Sequence, residues 1–139
     1  MTAHILLIED DEDLRAEIRE FFKRRKNTVY DCATISDAQQ AFRKRPPDIV
    51  VSDINLPDGD GAQFCVAHAA QNPNTSWLLM SGDPDRFRQS RQLRRAPDAP
   101  PFSVLEKPVS LGALDEFMRL AMLLKATSAR TGYSEPRES

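Results

Sequence analysis

No stretch of this sequence approaches 18 consecutive apolar residues, so no transmembrane helix is read from it. The first apolar run, Ile5-Leu6-Leu7-Ile8, is too short for a signal peptide, and a cytoplasmic location is expected. Cysteine is scarce. Cys32 and Cys65 lack the close spacing of a metal or redox motif. Each falls in a candidate core segment, which reads as two buried thiols. Histidine is as scarce, and neither His4 nor His68 has a nucleophile or ligand set near it in the sequence. Both are read as structural. The net charge is only −2, which argues against general nucleic-acid binding, and no direct DNA binding is expected. There is no internal repeat and no low-complexity block. What is left is a chain of 139 residues, enough for one domain with one good core.

The most informative stretch runs from Ile49 to Gly61. Ile49-Val50-Val51-Ser52 is β-branched and apolar without alternation, the pattern of a strand buried on both faces. Pro57, Gly59 and Gly61 are turn residues, and Asp53 sits where strand becomes turn. The rest alternates in the same way. His4 to Ile8 reads as a strand, followed by acids that suit the positive end of a helix dipole and then Leu14, Ile18, Phe21 and Phe22 at helical spacing. Val29 to Ala33 is the second strand. Ser36 is expected to cap the second helix, with Gln39 completing a capping box, and Pro46-Pro47 to end it. A third helix follows Gly61. Trp77 to Met80 is the fourth strand, ending in Ser81-Gly82. A fourth helix is expected to start at Pro84, with a thin apolar face of Phe87, Leu93 and Ala96. Its five arginines read as a solvated face, and an acidic protein is the partner they would suit. Phe102 to Leu105 is the fifth strand. The fifth helix, capped by Ser110, runs to Leu124, and residues 125–139 are expected to be a disordered tail. Strand and helix alternate five times, which implies an α/β fold with a doubly wound parallel sheet of five strands and helices on both faces.

Four features fall just after strand ends: Glu9-Asp10, Asp53, Ser81 and Lys107. In a parallel sheet these ends share one edge, the ligand-binding edge of open α/β folds. Three carboxylates brought together repel one another and need a cation, and oxygen ligands suit Mg²⁺. A lysine and a hydroxyl beside them could hold phosphoryl oxygens. The chemistry that fits is attack by a carboxylate on a phosphoryl group.

The residues Ile8-Glu9-Asp10-Asp11, the run from Asp53 to Gly61, Met80-Ser81-Gly82 and Glu106-Lys107-Pro108 together resemble the receiver domain of two-component response regulators. The resemblance covers about residues 4 to 124, and a receiver domain is expected over residues 1–124. It implies a flavodoxin-like sheet of strand order 2-1-3-4-5 with five helices. It also implies that Asp53 accepts a phosphoryl group from a phosphohistidine on a sensor kinase or histidine phosphotransfer protein. Glu9 and Asp10 are then the metal-binding acids, joined by Asp53 and the backbone carbonyl of Asn55 around Mg²⁺. Ser81 is the switch hydroxyl. Lys107 contacts the phosphate, and its bond to Pro108 is often cis in this family. Asn55 and Asp83 occupy the two positions that tune dephosphorylation, and both are polar, so autodephosphorylation is expected to be fairly fast.

Departures from the family pattern are equally specific. The aromatic usually found three residues before the lysine is replaced by Val104. Phe102 lies on the same strand face, and whether it substitutes is open at this point. The chain is expected to act as a single-domain regulator and not as an enzyme, beyond slow self-transfer and self-hydrolysis. It would bind an unknown downstream protein through its fourth helix, fifth strand and fifth helix. Surplus apolar residues on the fifth helix leave a homodimer open. The competing reading is an adaptor that binds protein partners without using phosphate. A phosphatase with an aspartyl intermediate is disfavoured, because that chemistry usually has a second aspartate where Asn55 stands.

Overall fold

The computed structural model describes residues 2–83 and 102–131, with side chains described to residue 125. Strand β1 (His4–Ile8) is followed by α1 (Glu12–Arg24), β2 (Thr28–Cys32), α2 (Ile35–Lys44) and β3 (Ile49–Asp53). A small hairpin of β4 (Asn55–Leu56) and β5 (Gly59–Asp60) leads into α3 (Gly61–Ala69). Then come β6 (Ser76–Ser81), β7 (Phe102–Glu106) and α4 (Leu111–Thr131). The fourth helix expected from Pro84, with its arginines, lies outside the described residues.

The main sheet has the order β2-β1-β3-β6-β7, and all of its neighbours are parallel. Among the five long strands this is the expected order 2-1-3-4-5. β3 is central, and every one of its residues is buried, as its unbroken apolar run predicts. Alternate strand residues face opposite sides. Leu6, Ile8, Val50 and Leu79 face Ala38, Phe42, Phe64 and Cys65 of α2 and α3. Ile5, Leu7, Val51, Leu78 and Met80 face Ile18, Phe22, Leu114 and Met118 of α1 and α4. Both cysteines are free and buried, as expected. His68 packs against Phe42 and Phe64, with Nδ1 2.9 Å from the Phe64 carbonyl, which is a structural role.

Two boundaries and one small element differ from the expectation. α2 is capped by Thr34, whose side chain accepts from the Asp37 N–H, and not by Ser36. The reason is tertiary: the carboxylate of Asp58, on the β4–β5 hairpin, takes the N–H groups of Ile35 and Ser36. α4 continues to Thr131, past the expected boundary at Leu124. The segment from Lys125 to Thr131 holds neither proline nor glycine to stop it. The hairpin itself was not expected. No helix among the described residues is long and apolar enough to cross a membrane.

Candidate functional site

Parallel register brings the C-terminal ends of β1, β3, β6 and β7 to one edge. Glu9 follows β1, Asp53 ends β3, Ser81 ends β6, and Lys107 follows β7. Lys107 Nζ donates to Asp53 Oδ2 at 3.0 Å and lies 3.1 Å from Glu9 Oε1. The other Asp53 oxygen accepts from the Asn55 N–H at 3.3 Å. Glu9 is fully buried and Asp53 is 5% exposed, whereas Asp10 is exposed. One cation thus sits between two buried acids. The Lys107 N–H also bonds the Ser81 carbonyl at 2.9 Å, which ties the lysine's backbone to the end of β6, and the Lys107–Pro108 peptide is cis.

The charges are in tension. Burial pushes the Glu9 carboxyl above its ordinary range, and the negative charge of Asp53 adds to that, against the pull of the Asp11 N–H and Lys107. For Lys107 burial alone would lower the ammonium's pKa. Its hydrogen bond to Asp53 and its ion pair with Glu9 together outweigh that, and the net direction is upward. The amine is therefore held charged.

The same atoms make a cation site. Glu9, Asp10 and Asp53 each offer a carboxylate oxygen, and the three lie within 4.8 Å of one another. Glu9 Oε1 is buried and, despite the nearby ammonium, receives no properly directed hydrogen bond. A buried carboxylate oxygen with an unsatisfied lone pair, beside two more hard oxygen donors, fits Mg²⁺.

The turn after Asp53 is built by close approach. Any side chain at Gly61 would place its Cβ 2.0 Å from the Asp53 carbonyl oxygen, so only glycine fits. The Gly61 N–H bonds the Ile54 carbonyl at 2.7 Å, and Asp60 caps α3 by accepting from the Ala62 N–H at 2.8 Å. Arg15 was missed in the sequence. Its Nη1 donates to the Glu9 carbonyl at 2.8 Å while Nε pairs with Asp31 at 3.0 Å, clamping the acidic loop to β2. Asp11, which accepts from the Asp13 and Leu14 N–H groups, was read only as one acid among several.

The model of the response regulator receiver domain matches residues 5–119. The chain belongs to the response regulator receiver domain family. The KDP operon transcriptional regulatory protein KdpE of Escherichia coli is 27% identical over 119 residues, which are 86% of this chain and 51% of that protein. The transcriptional activator protein PfeR of Pseudomonas aeruginosa is 32% identical over 111 residues, 80% of this chain and 35% of that one. The chain thus spans at most about half the length of these curated relatives. Among solved structures, a receiver domain protein from Clostridium thermocellum superposes with a TM-score of 0.74 at 21% identity, covering 90% of this chain and 98% of that one. The acidic pocket of this receiver, Glu9, Asp10 and Asp53, is where receiver domains bind Mg²⁺.

The receiver's switch side is different. The Ser81 hydroxyl oxygen accepts from the Asp83 N–H at 3.0 Å. Ser81 is in register with Glu106, Leu79 with Val104, and Trp77 with Phe102. Val104 is half-buried against the α2–α3 core. Phe102 points to the same core but packs edge-on against Trp77, with ring centroids 6.1 Å apart. Four registers separate it from Ser81, about 13 Å along the strand. Among the described residues, no aromatic side chain of β7 reaches the hydroxyl end of the sheet.

Proposed function

We propose that this receiver is an aspartyl phosphoacceptor, with Asp53 taking the phosphoryl group from a phosphohistidine on a sensor kinase or phosphotransfer protein. The observation that carries this reading is one ammonium, Lys107 Nζ, held 3.0 Å from Asp53 and 3.1 Å from Glu9 at the end of the central strand. An Asp53 oxygen attacks phosphorus. The P–N bond to the donor imidazole breaks, its electron pair stays on the nitrogen, and the product is an acyl phosphate on Asp53. Lys107 moves its bonding to a phosphoryl oxygen and balances the charge there. The Ser81 hydroxyl donates to another. Glu9, Asp10, Asp53 and the Asn55 carbonyl would hold Mg²⁺, which supplies further charge neutralisation for the transferring group. Asn55 and Asp83 would orient the water that later hydrolyses the acyl phosphate. The acyl phosphate carries close to two negative charges where the carboxylate carried one, and this change is the signal read by a protein partner.

The test is intact mass after incubation with Mg²⁺ and acetyl phosphate. The expected result is a gain of one phosphoryl group, absent with EDTA and absent in Asp53→Asn, and decaying without a half-life of many hours. No gain in the wild type, or a gain retained by Asp53→Asn, would overturn the reading and favour a partner-binding domain that does not use phosphate. The β7 register favours that second reading only on the output side, where the usual aromatic is absent.

A further inference from the structure

We infer that Asp58 is a positioning residue that pins the phosphoacceptor loop to the start of α2, so that Asn55 is held in place beside Asp53. The inference rests on the phosphoacceptor reading only for what the loop serves. The geometry of the pin stands by itself.

An α-helix begins with four N–H groups that have no partner within it. In α2 each finds one. The Ala38 N–H bonds the Thr34 carbonyl at 3.1 Å, and the Asp37 N–H bonds the Thr34 hydroxyl at 3.2 Å. The first two have no local acceptor. Ile35 N–H donates to Asp58 Oδ1 at 2.9 Å, and Ser36 N–H donates to Oδ2 at 3.1 Å. One carboxylate from more than 20 residues away completes the cap. These bonds hold the Asp58 carboxyl below its ordinary range, chiefly through the Ile35 N–H. The fit is tight as well as polar. A Cβ at Gly59 would lie 2.9 Å from Ile35 Cδ1, so the hairpin tip rests directly on the first residue of α2.

The other end of the hairpin is the site. Asn55 pairs with Asp60, and Leu56 with Gly59. Asp60 caps α3, the Gly61 N–H bonds the Ile54 carbonyl, and the Asn55 N–H bonds Asp53 Oδ1. The base of the hairpin is therefore fixed to β3 and α3. Its tip, Pro57-Asp58, is held by the two bonds that the Asp58 carboxylate accepts from α2. A two-strand hairpin with two residues in each strand is not stable without such an anchor. Release of the tip would leave Asn55 held only by its pairing with Asp60 and its N–H on Asp53, so that the carbonyl offered to the cation is less firmly placed.

Three variants separate positioning from simple capping. Asp58→Ala removes the pin. Thr34→Ala removes the other side-chain cap of the same helix without touching the hairpin. Asp58→Asn keeps a carbonyl acceptor. Amide exchange is measured over residues 55–61 in EDTA, and Mg²⁺ affinity by calorimetry. Asp58→Ala should speed exchange in that segment and weaken Mg²⁺ binding roughly ten-fold, the low end for residues that orient metal ligands. Thr34→Ala should leave both as in the wild type, and Asp58→Asn, which keeps one acceptor of the two, should recover part of the loss. Wild-type exchange and affinity in Asp58→Ala, or equal effects of Thr34→Ala, would overturn the inference. A wild type that binds no Mg²⁺ would instead overturn the phosphoacceptor reading, and the exchange comparison alone would then decide whether Asp58 pins the loop.

Discussion

The acidic edge of the sheet and its β7–α4 flank are built on opposite terms. At the edge, Glu9 and Asp53 are buried, share one ammonium, and are fixed by backbone N–H groups from Asp11 and Asn55. Along the flank, β7 is only half-buried, and α4 leaves Leu120, Leu123 and Leu124 exposed. The usual switch aromatic is a valine there. Phosphoryl transfer of the kind proposed would tolerate little displacement of these groups. An output surface is set by whatever it must bind. The apolar side chains of α4 are consistent with a partner surface or a homodimer, the expectation raised by their surplus in the sequence.

The largest effect should come from testing the two faces of α4 against each other. Leu114 is fully buried against α1 and the sheet. Leu114→Ala should cost roughly 3 kcal/mol in urea unfolding, as cavity-forming truncations do. Leu124 is 70% exposed, and Leu124→Ala should stay within about 0.5 kcal/mol. Equal costs would mean that the flank is not divided into a core face and a free face.

Lys107 joins the two regions, since it follows β7 yet serves the edge. Lys107→Ala should slow phosphoryl gain from acetyl phosphate roughly a hundred-fold, the usual cost of losing one charge-stabilising donor. The time course of intact mass is the measurement. An unchanged rate would separate the lysine from the chemistry.

The smallest effect sharpens the edge itself. Burial and the Asp53 charge raise the Glu9 pKa in the fold, so the native state binds this proton more tightly than the unfolded chain. Its contribution to stability is full below the ordinary carboxyl pKa and is lost as pH rises through the raised value. Glu9→Gln should therefore raise the melting temperature in EDTA at neutral pH. The gain should shrink as pH falls and the wild-type carboxyl takes up its proton. Mg²⁺ should stabilise the wild type and not the variant. A variant less stable than wild type in EDTA at neutral pH would show that the Lys107 bond outweighs the strain.

Most of the fold was legible because β3 reads as a doubly buried strand and the strand–helix alternation admits few topologies. The acids, Ser81 and Lys107 were legible because each follows a strand, and parallel strands deliver such residues to one edge. The pairing partners were not. Ser36 looked like the cap of α2 because local sequence offers no view of a carboxylate on a distant hairpin. Whether Phe102 replaces the missing aromatic was open because it shares a face with Val104, and only register shows how far along the strand it lies from Ser81.

The sequence by itself determined the element order, the buried β3 and the set of groups at the site, since these follow from periodicity and turn chemistry within short windows. Only the tertiary structure decided which charges touch, that Arg15 ties the Glu9 loop to Asp31 of β2, that Asp58 completes α2, and that Phe102 belongs to Trp77. Each of these depends on two segments far apart in the chain, and distance in space between such segments is set by packing, not by local pattern.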